Sequence, residues 1–320
     1  MTKEQIRNHQ AFRAIGNTVI SISVLIVTAI FGIYMSGESA EFVKEGMIRA
    51  IKSVVPSSFT FMIISDVYIH YGKPENIPLL KSCFCKVFNL PPSALSAFIC
   101  GNVGGFPIGA KMTADLYREG RIDKLSAERL TALSCNPSCA FIMGGVGLGM
   151  FNSSQMGFIL LISVYISALI CGYLFKGSTN KFNFTEHSTR QNFIFVDSVK
   201  SAGINSISII SFISFFSVVL GFIKKYIKKE GIIYLLASFL EVTNACELFA
   251  DISSSYAAFS AIACAFSLAF GGVCVMLQTG VFTSHEHLSM RSYFIIKLVQ
   301  GLLSALICAF IMTVFLHYKL

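Results

Sequence analysis

The sequence predicts an all-α polytopic membrane protein with interrupted helices, and three observations carry that prediction. Of its 320 residues, 54% are hydrophobic and 13% charged, where a soluble domain carries about 25% charged residues. Apolar stretches recur along the chain, several of them about 20 residues long, enough for a hydrocarbon core of about 30 Å. Four stretches hold glycine, proline or polar side chains near their middle, in "GNVGGFPIG", "CNPSC", "LEVTNACE" and "AFGG". Within hydrocarbon an unpartnered N–H or C=O costs several kcal/mol, so non-helical backbone persists only where protein or a watery cavity encloses it. Two such breaks in each half fit an inverted-repeat transporter-like fold with two re-entrant helical hairpins and discontinuous transmembrane helices.

Taken in order, residues 1–86 form the N-terminal transmembrane helices, with apolar stretches at 14–35 and 54–71. The first stretch lacks a small-residue cleavage site and reads as a retained span. Residues 87–175 form a first repeat: a hairpin over 91–117 with its tip at 101–109, a helix over 130–150 broken around 136–139, and a helix over 156–175. A polar linker spans 176–202. The second repeat, 203–320, holds a helix over 203–223, a hairpin over 230–251 with its tip at 241–245, a helix over 256–283 broken around 270–272, and a helix over 293–316.

The formal charge of +8 lies mostly at span ends, which favours anionic lipid head groups as partners and argues against nucleic acid. Lys3, Arg7 and Arg13 place the N-terminus in the cytoplasm. Lys224, Lys225, Lys228 and Lys229 also favour the inside, whereas counting spans puts them outside; the inverted repeat requires the count. Cys83 and Cys85 have no second pair at metal-site spacing, so no metal is expected. "HEH", 285–287, lacks the HExxH spacing and reads as a wet polar loop. No nucleophile, base and orienter can be assembled, so no enzyme and no cofactor is expected.

The breaks supply the candidate solute-binding residues. Gly104, Gly105 and Gly109 with Pro107 permit a tip whose N–H groups face an anion, flanked by Asn102 and Phe106. Gly101 with Gly105 also fits a close helix crossing of the GxxxG type. Lys111 is either a positive charge at the cavity rim or a snorkelling lysine paired with Asp115, four residues on. Asn136 and Ser138 lie 7 and 9 residues past Arg129, about 10–14 Å along a helix. At that depth they bind solute or hydrogen-bond between helices. Glu241, 11 positions beyond Glu230, falls about 16 Å from the basic end. An acid there is a functional-site hypothesis, for a coupling proton or monovalent cation, or else a buried structural partner. Thr243 and Asn244 shape the same tip, and Gln278 lines a cavity after the fourth break.

Four stretches, "GGFPIGAKMTADLYREGRI", "LSAERLTALSCNPSCAFIMGGVGLGMF", "LEVTNACELF" and "FGGVCVMLQTG", resemble signature stretches of the sporulation integral membrane protein YlbJ family, with its nucleoside recognition or Gate domain. The likeness runs from about 91 to 316. It implies a fold similar to concentrative nucleoside transporters. In endospore formers it implies passage of dipicolinic acid across the outer forespore membrane. The family's Gly-Tyr-Pro-x-Gly-Ala-Lys run is present with Phe106 in the tyrosine place, and "CNPSCAF" keeps Asn136, Ser138 and Phe141 but moves proline to position 137. The expected function is therefore secondary-type membrane transport of a small, polar, anionic organic solute. The alternative is a nonenzymatic gate or assembly protein without net transport, and a homo-oligomer is open in either case.

Overall fold

The computed structural model describes residues 36–71, 77–177 and 194–316, and these are helical with no strand. The stretch read as a first span, 14–35, lies outside the described residues. Helix α1 (Ser36–Arg49) passes through a π-helical turn (Ala50–Val54) into α2 (Val55–Tyr71). Helix α3 (Pro78–Phe88) starts on proline, whose missing N–H costs nothing there, and ends on left-handed Asn89. The Arg129 guanidinium donates to Phe88 O at 3.0 Å and Asn89 O at 2.9 Å, closing that helix end.

The two interrupted units follow. In the first, α4 (Ala94–Gly104) and α5 (Ile108–Arg118) pack as a hairpin. Helix α6 (Lys124–Ser134) then breaks before a π-helix (Phe141–Met150) and the long α7 (Ser154–Leu174). Asp123 and Ser153 cap α6 and α7 by accepting from Ser126 N at 2.8 Å and Met156 N at 3.2 Å. In the second, α8 (Ile194–Tyr226) leads into the hairpin α9 (Glu230–Leu240) and α10 (Val242–Asp251). Helices α11 (Ala257–Phe270) and α12 (Gly272–Thr283) meet at a break, and α13 (Met290–Leu316) ends the described chain. The order hairpin, interrupted pair, long helix thus occurs twice.

Four helical stretches among the described residues are long and apolar enough to cross a membrane: Ser154–Leu174, Phe195–Tyr226, Ala257–Thr283 and Met290–Val314. Their outward faces expose Phe158, Leu302, Leu306 and Phe310, apolar surface that only lipid or another protein would cover. Inside, Ala261, Ala265 and Ala269 are fully buried where α11 runs along α13. Small side chains let helix backbones approach, the main packing device where lipid is as apolar as leucine. Together these features make the chain an integral membrane protein.

Three boundaries differ from the sequence reading. Helix α8 begins at Ile194, inside the stretch read as linker, because "IFV" extends its apolar face and Asp197 suits a helix N-terminus. The first tip is narrower than 101–109. Gly104 and Gly109 are helical and only Gly105–Pro107 is not. The second tip is narrower still, a single extended residue, Glu241, with Thr243–Ala245 in the first turn of α10.

Candidate functional site

Both tips and the first break meet, with α12 just past the second break, at one cavity of about 40 Å³, room for about one water. Its wall takes Gly105 and Phe106 from the first tip, Pro137 and Ser138 from the first break, Glu241 and Thr243 from the second tip, and Cys274 and Gln278 from α12. Glycine is required at two of the seams. Gly105 has φ +79°, and a Cβ there would lie 2.9 Å from Ser138 N. Gly272 has φ +78°, and a Cβ there would lie 3.0 Å from Leu240 O. Each seam presses a tip against the break of its own unit, and the Phe106 ring reaches across to within 3.4 Å of where a Cβ on Gly271 would stand.

Where the first helices break, carbonyls need donors. Tyr165 of α7 supplies one, its hydroxyl 2.7 Å from Asn102 O and 3.1 Å from Pro137 O. Asn136 Nδ2 donates to Leu133 O at 3.0 Å and Asn102 Oδ1 at 2.9 Å. Lys297 Nζ, from α13, donates to Cys135 O at 2.9 Å, Asn136 Oδ1 at 2.8 Å and Gln300 Oε1 at 2.8 Å. Gln300 Nε2 donates to Asn136 Oδ1 at 2.8 Å. The Ser138 hydroxyl accepts from Phe141 N at 3.2 Å, starting the π-helix.

The second tip exposes N–H groups instead. Glu241 is 1% exposed, and its carboxylate accepts from Thr243 N at 2.8 Å, Asn244 N at 2.7 Å and Asn244 Nδ2 at 2.6 Å. It is the N-cap of α10, a place where acceptor and negative charge both suit the helix. The sequence reading offered coupling or a buried structural partner; the structural partner is this helix end, with no lysine bonded to the carboxylate among the described residues. Asn244 Nδ2 also lies 3.2 Å from Ser217 Oγ, and Arg49 Nη1 reaches the same oxygen at 3.2 Å.

The sequence candidates therefore divide. Gly105, Phe106, Ser138, Thr243, Gln278 and Glu241 line the cavity. Pro107 closes the first tip without reaching the wall. Gly109 packs on the Ser134 backbone, leaving no room for a Cβ, and Gly104 packs on Ile108 and Ser65. Their small size serves helix approach, the GxxxG-like alternative. Asn102, Asn136 and Asn244 have their amides engaged within protein. Lys111 stands apart: its ammonium is 2.9 Å from Ser201 Oγ and 3.5 Å from Asp66 Oδ1, while Asp115 pairs with Arg118. The expected Lys111 and Asp115 pair is not formed, because Asp66 and Ser201 from neighbouring helices are in reach. "HEH" falls in the turn between α12 and α13.

Sequence reasoning missed Lys297 and Gln300. Both are 0% exposed, inside a stretch taken as an uninterrupted span. The signal was present in "YFIIKLVQG": a lysine within a spanning helix carries a cost of about 2.5–3.5 kcal/mol on insertion scales and marks a functional site by default. Tyr165 was missed too, since a tyrosine in an apolar run gives no pattern of its own.

No family model matches the sequence, and no solved structure matches it. Among curated proteins, one alignment of 334 residues gives 25% identity to Sporulation integral membrane protein YlbJ of Bacillus subtilis (strain 168). The chain is similar to YlbJ. The alignment takes in 90% of this chain and 81% of YlbJ, so it extends over both interrupted units and supports the resemblance drawn from the four quoted stretches. YlbJ is by its name an integral membrane protein of sporulation, in agreement with the apolar helices found here.

Proposed function

We propose that this chain is a secondary-type transporter of a small, anionic organic solute, with dipicolinate as that solute in a spore-forming cell. The observation that supports this most is the meeting of both tips, the first break and α12, from separate parts of the sequence, at a single cavity. In transporters built from inverted repeats the site lies between the halves at interrupted helices, near mid-membrane. The element order suits such a repeat, with the N-terminus cytoplasmic and the protein in the cell membrane, or the outer forespore membrane of a spore former. No chemical step is assigned to the site.

At about 40 Å³ the cavity is closed to any organic solute, since ligand pockets run to about 300–1,000 Å³. Loading therefore requires the tips to part, an alternating-access motion. Glu241 shares the cavity wall, so an anionic solute meets a like charge there unless a proton or monovalent cation accompanies it. That makes Glu241 the coupling residue of this reading, in addition to its cap. The test is uptake of dipicolinate into proteoliposomes holding the purified chain, with and without imposed proton and sodium gradients. Saturable, gradient-responsive flux is expected. Protein that stays folded and moves no solute would overturn transport in favour of a gate or assembly role.

A further inference from the structure

Lys297 is the charge that the reading above leaves unused. Its ammonium is fully buried and has three neutral oxygens around it, those of Cys135 O, Asn136 Oδ1 and Gln300 Oε1. None of the ion pairs among the described residues includes it. Three acceptors for three N–H donors hold the charge in place. They do not neutralise it, and in a medium of low dielectric its field reaches well beyond contact. Between it and the cavity stands Phe106, whose ring centroid lies 5.9 Å from Nζ and which forms part of the cavity wall. One aromatic ring on a hairpin tip thus lies against a buried cation on one side and against the cavity on another.

We infer that Lys297 is the carboxylate-binding group of this site, screened by Phe106 in the closed state and met by the solute's carboxylate when the first tip moves. The inference rests on the transport reading for the solute's route and deepens it by naming the group that selects for charge. A carboxylate on Nζ makes a charge-assisted hydrogen bond, about twice as strong as one to a neutral oxygen. It can therefore compete with the side-chain oxygens of Asn136 and Gln300, which can turn once their own hydrogen bonds yield, whereas Cys135 O is fixed by the chain. Glu241, also on the wall, repels the same group, so the solute enters with its carboxylate toward Phe106.

The test uses the purified full chain in detergent and two probes of nearly equal shape, pyridine-2,6-dicarboxylate and its uncharged diamide, each titrated to saturation. The parent is expected to bind the dicarboxylate at least tenfold more tightly than the diamide. Lys297→Gln is expected to weaken dicarboxylate binding by at least about 30-fold, as for loss of one partner of a buried charge pair, with diamide binding unchanged. Gln300→Met removes a competing acceptor and keeps the charge, and is expected to bind the dicarboxylate at least as tightly as the parent. A parent without preference for the dicarboxylate overturns the inference, whether or not the glutamine variant folds. So does a folded Lys297→Gln with parent affinity. Lys297-dependent binding without any flux would sink transport and leave this site standing, whereas flux of a neutral solute that ignores Lys297→Gln would do the reverse.

Discussion

At the first break the freed carbonyls of Cys135 and Pro137 are met by side chains from distant helices, Lys297 of α13 and Tyr165 of α7. At the second tip, Glu241 turns its own carboxylate onto the N–H groups of Thr243 and Asn244. The difference follows from which helix end faces the cavity. A C-terminal end offers C=O groups and partial negative charge, and so takes a cation and donors; an N-terminal end offers N–H groups and takes an anion. The chain thus carries one buried basic and one buried acidic side chain at these two places, Lys297 at the first break and Glu241 at the second tip. The first is held by long-range contacts and the second by local ones.

The hardest blow to this arrangement is expected at the seams. Gly105→Ala forces a side chain onto φ +79° and drives its Cβ against Ser138 N. Backbone strain and overpacking together amount to about 2–5 kcal/mol. The measurement is the thermal midpoint of the purified variant, expected to fall steeply or to be lost with the folded fraction. Gly272→Ala, at φ +78° beside Leu240 O, belongs to the same class. A variant at either position with the parent midpoint would mean that its tip and break are not pressed together as described.

Next in size is Tyr165→Phe, which removes the one hydroxyl that serves both Asn102 O and Pro137 O. Leaving a buried carbonyl without its donor costs about 1–3 kcal/mol. If the first break depends on distant side chains, this single oxygen should lower the midpoint measurably. No shift would show that the carbonyls have other partners, and the contrast between the two breaks would lose half its basis.

Tyr165 also shows what could be read in advance. The breaks were legible because glycine, proline and polar residues interrupt runs that otherwise suit lipid, and Glu241 was legible because an acid so deep in an apolar run is costly. The partners of the first break come from 28 to 162 residues away in sequence, and nothing local announces them. Tip widths were overestimated for a related reason. Gly104 and Gly109 look like breakers, yet their missing side chains serve helix approach at Ser65 and Ser134. Thr243 and Asn244 look polar enough for a loop, yet they begin a helix whose cap stands just before them.

Glu241→Gln tests the second tip. An amide keeps one acceptor oxygen but cannot receive all three donors, so a stability loss of about 0.5–2 kcal/mol is expected from the weakened cap. If Glu241 couples transport as well, solute binding should persist while flux in proteoliposomes stops responding to imposed proton or sodium gradients. Gradient-driven flux at the parent level, normalised to folded protein, would confine Glu241 to capping.

The smallest effect is expected at Lys111, the cationic residue that the sequence placed nearest the first tip. Its ammonium faces Asp66 and Ser201, at 3.5 and 2.9 Å, and it forms no part of the cavity wall. A partly exposed ion pair of this kind contributes about 0–1 kcal/mol, and methionine preserves most of the apolar stem that packs along the helix. Lys111→Met should therefore keep the parent midpoint to within a few degrees and leave dicarboxylate binding and flux unchanged. The comparison with Lys297→Gln is what gives this variant its use, since the two remove the same kind of side chain from two different helices, α5 and α13. Lys297→Gln silent and Lys111→Met deficient in dicarboxylate binding would move the positive pole of the site from α13 to α5, and the sign rule drawn from the helix ends would then account for the fold and not for the solute.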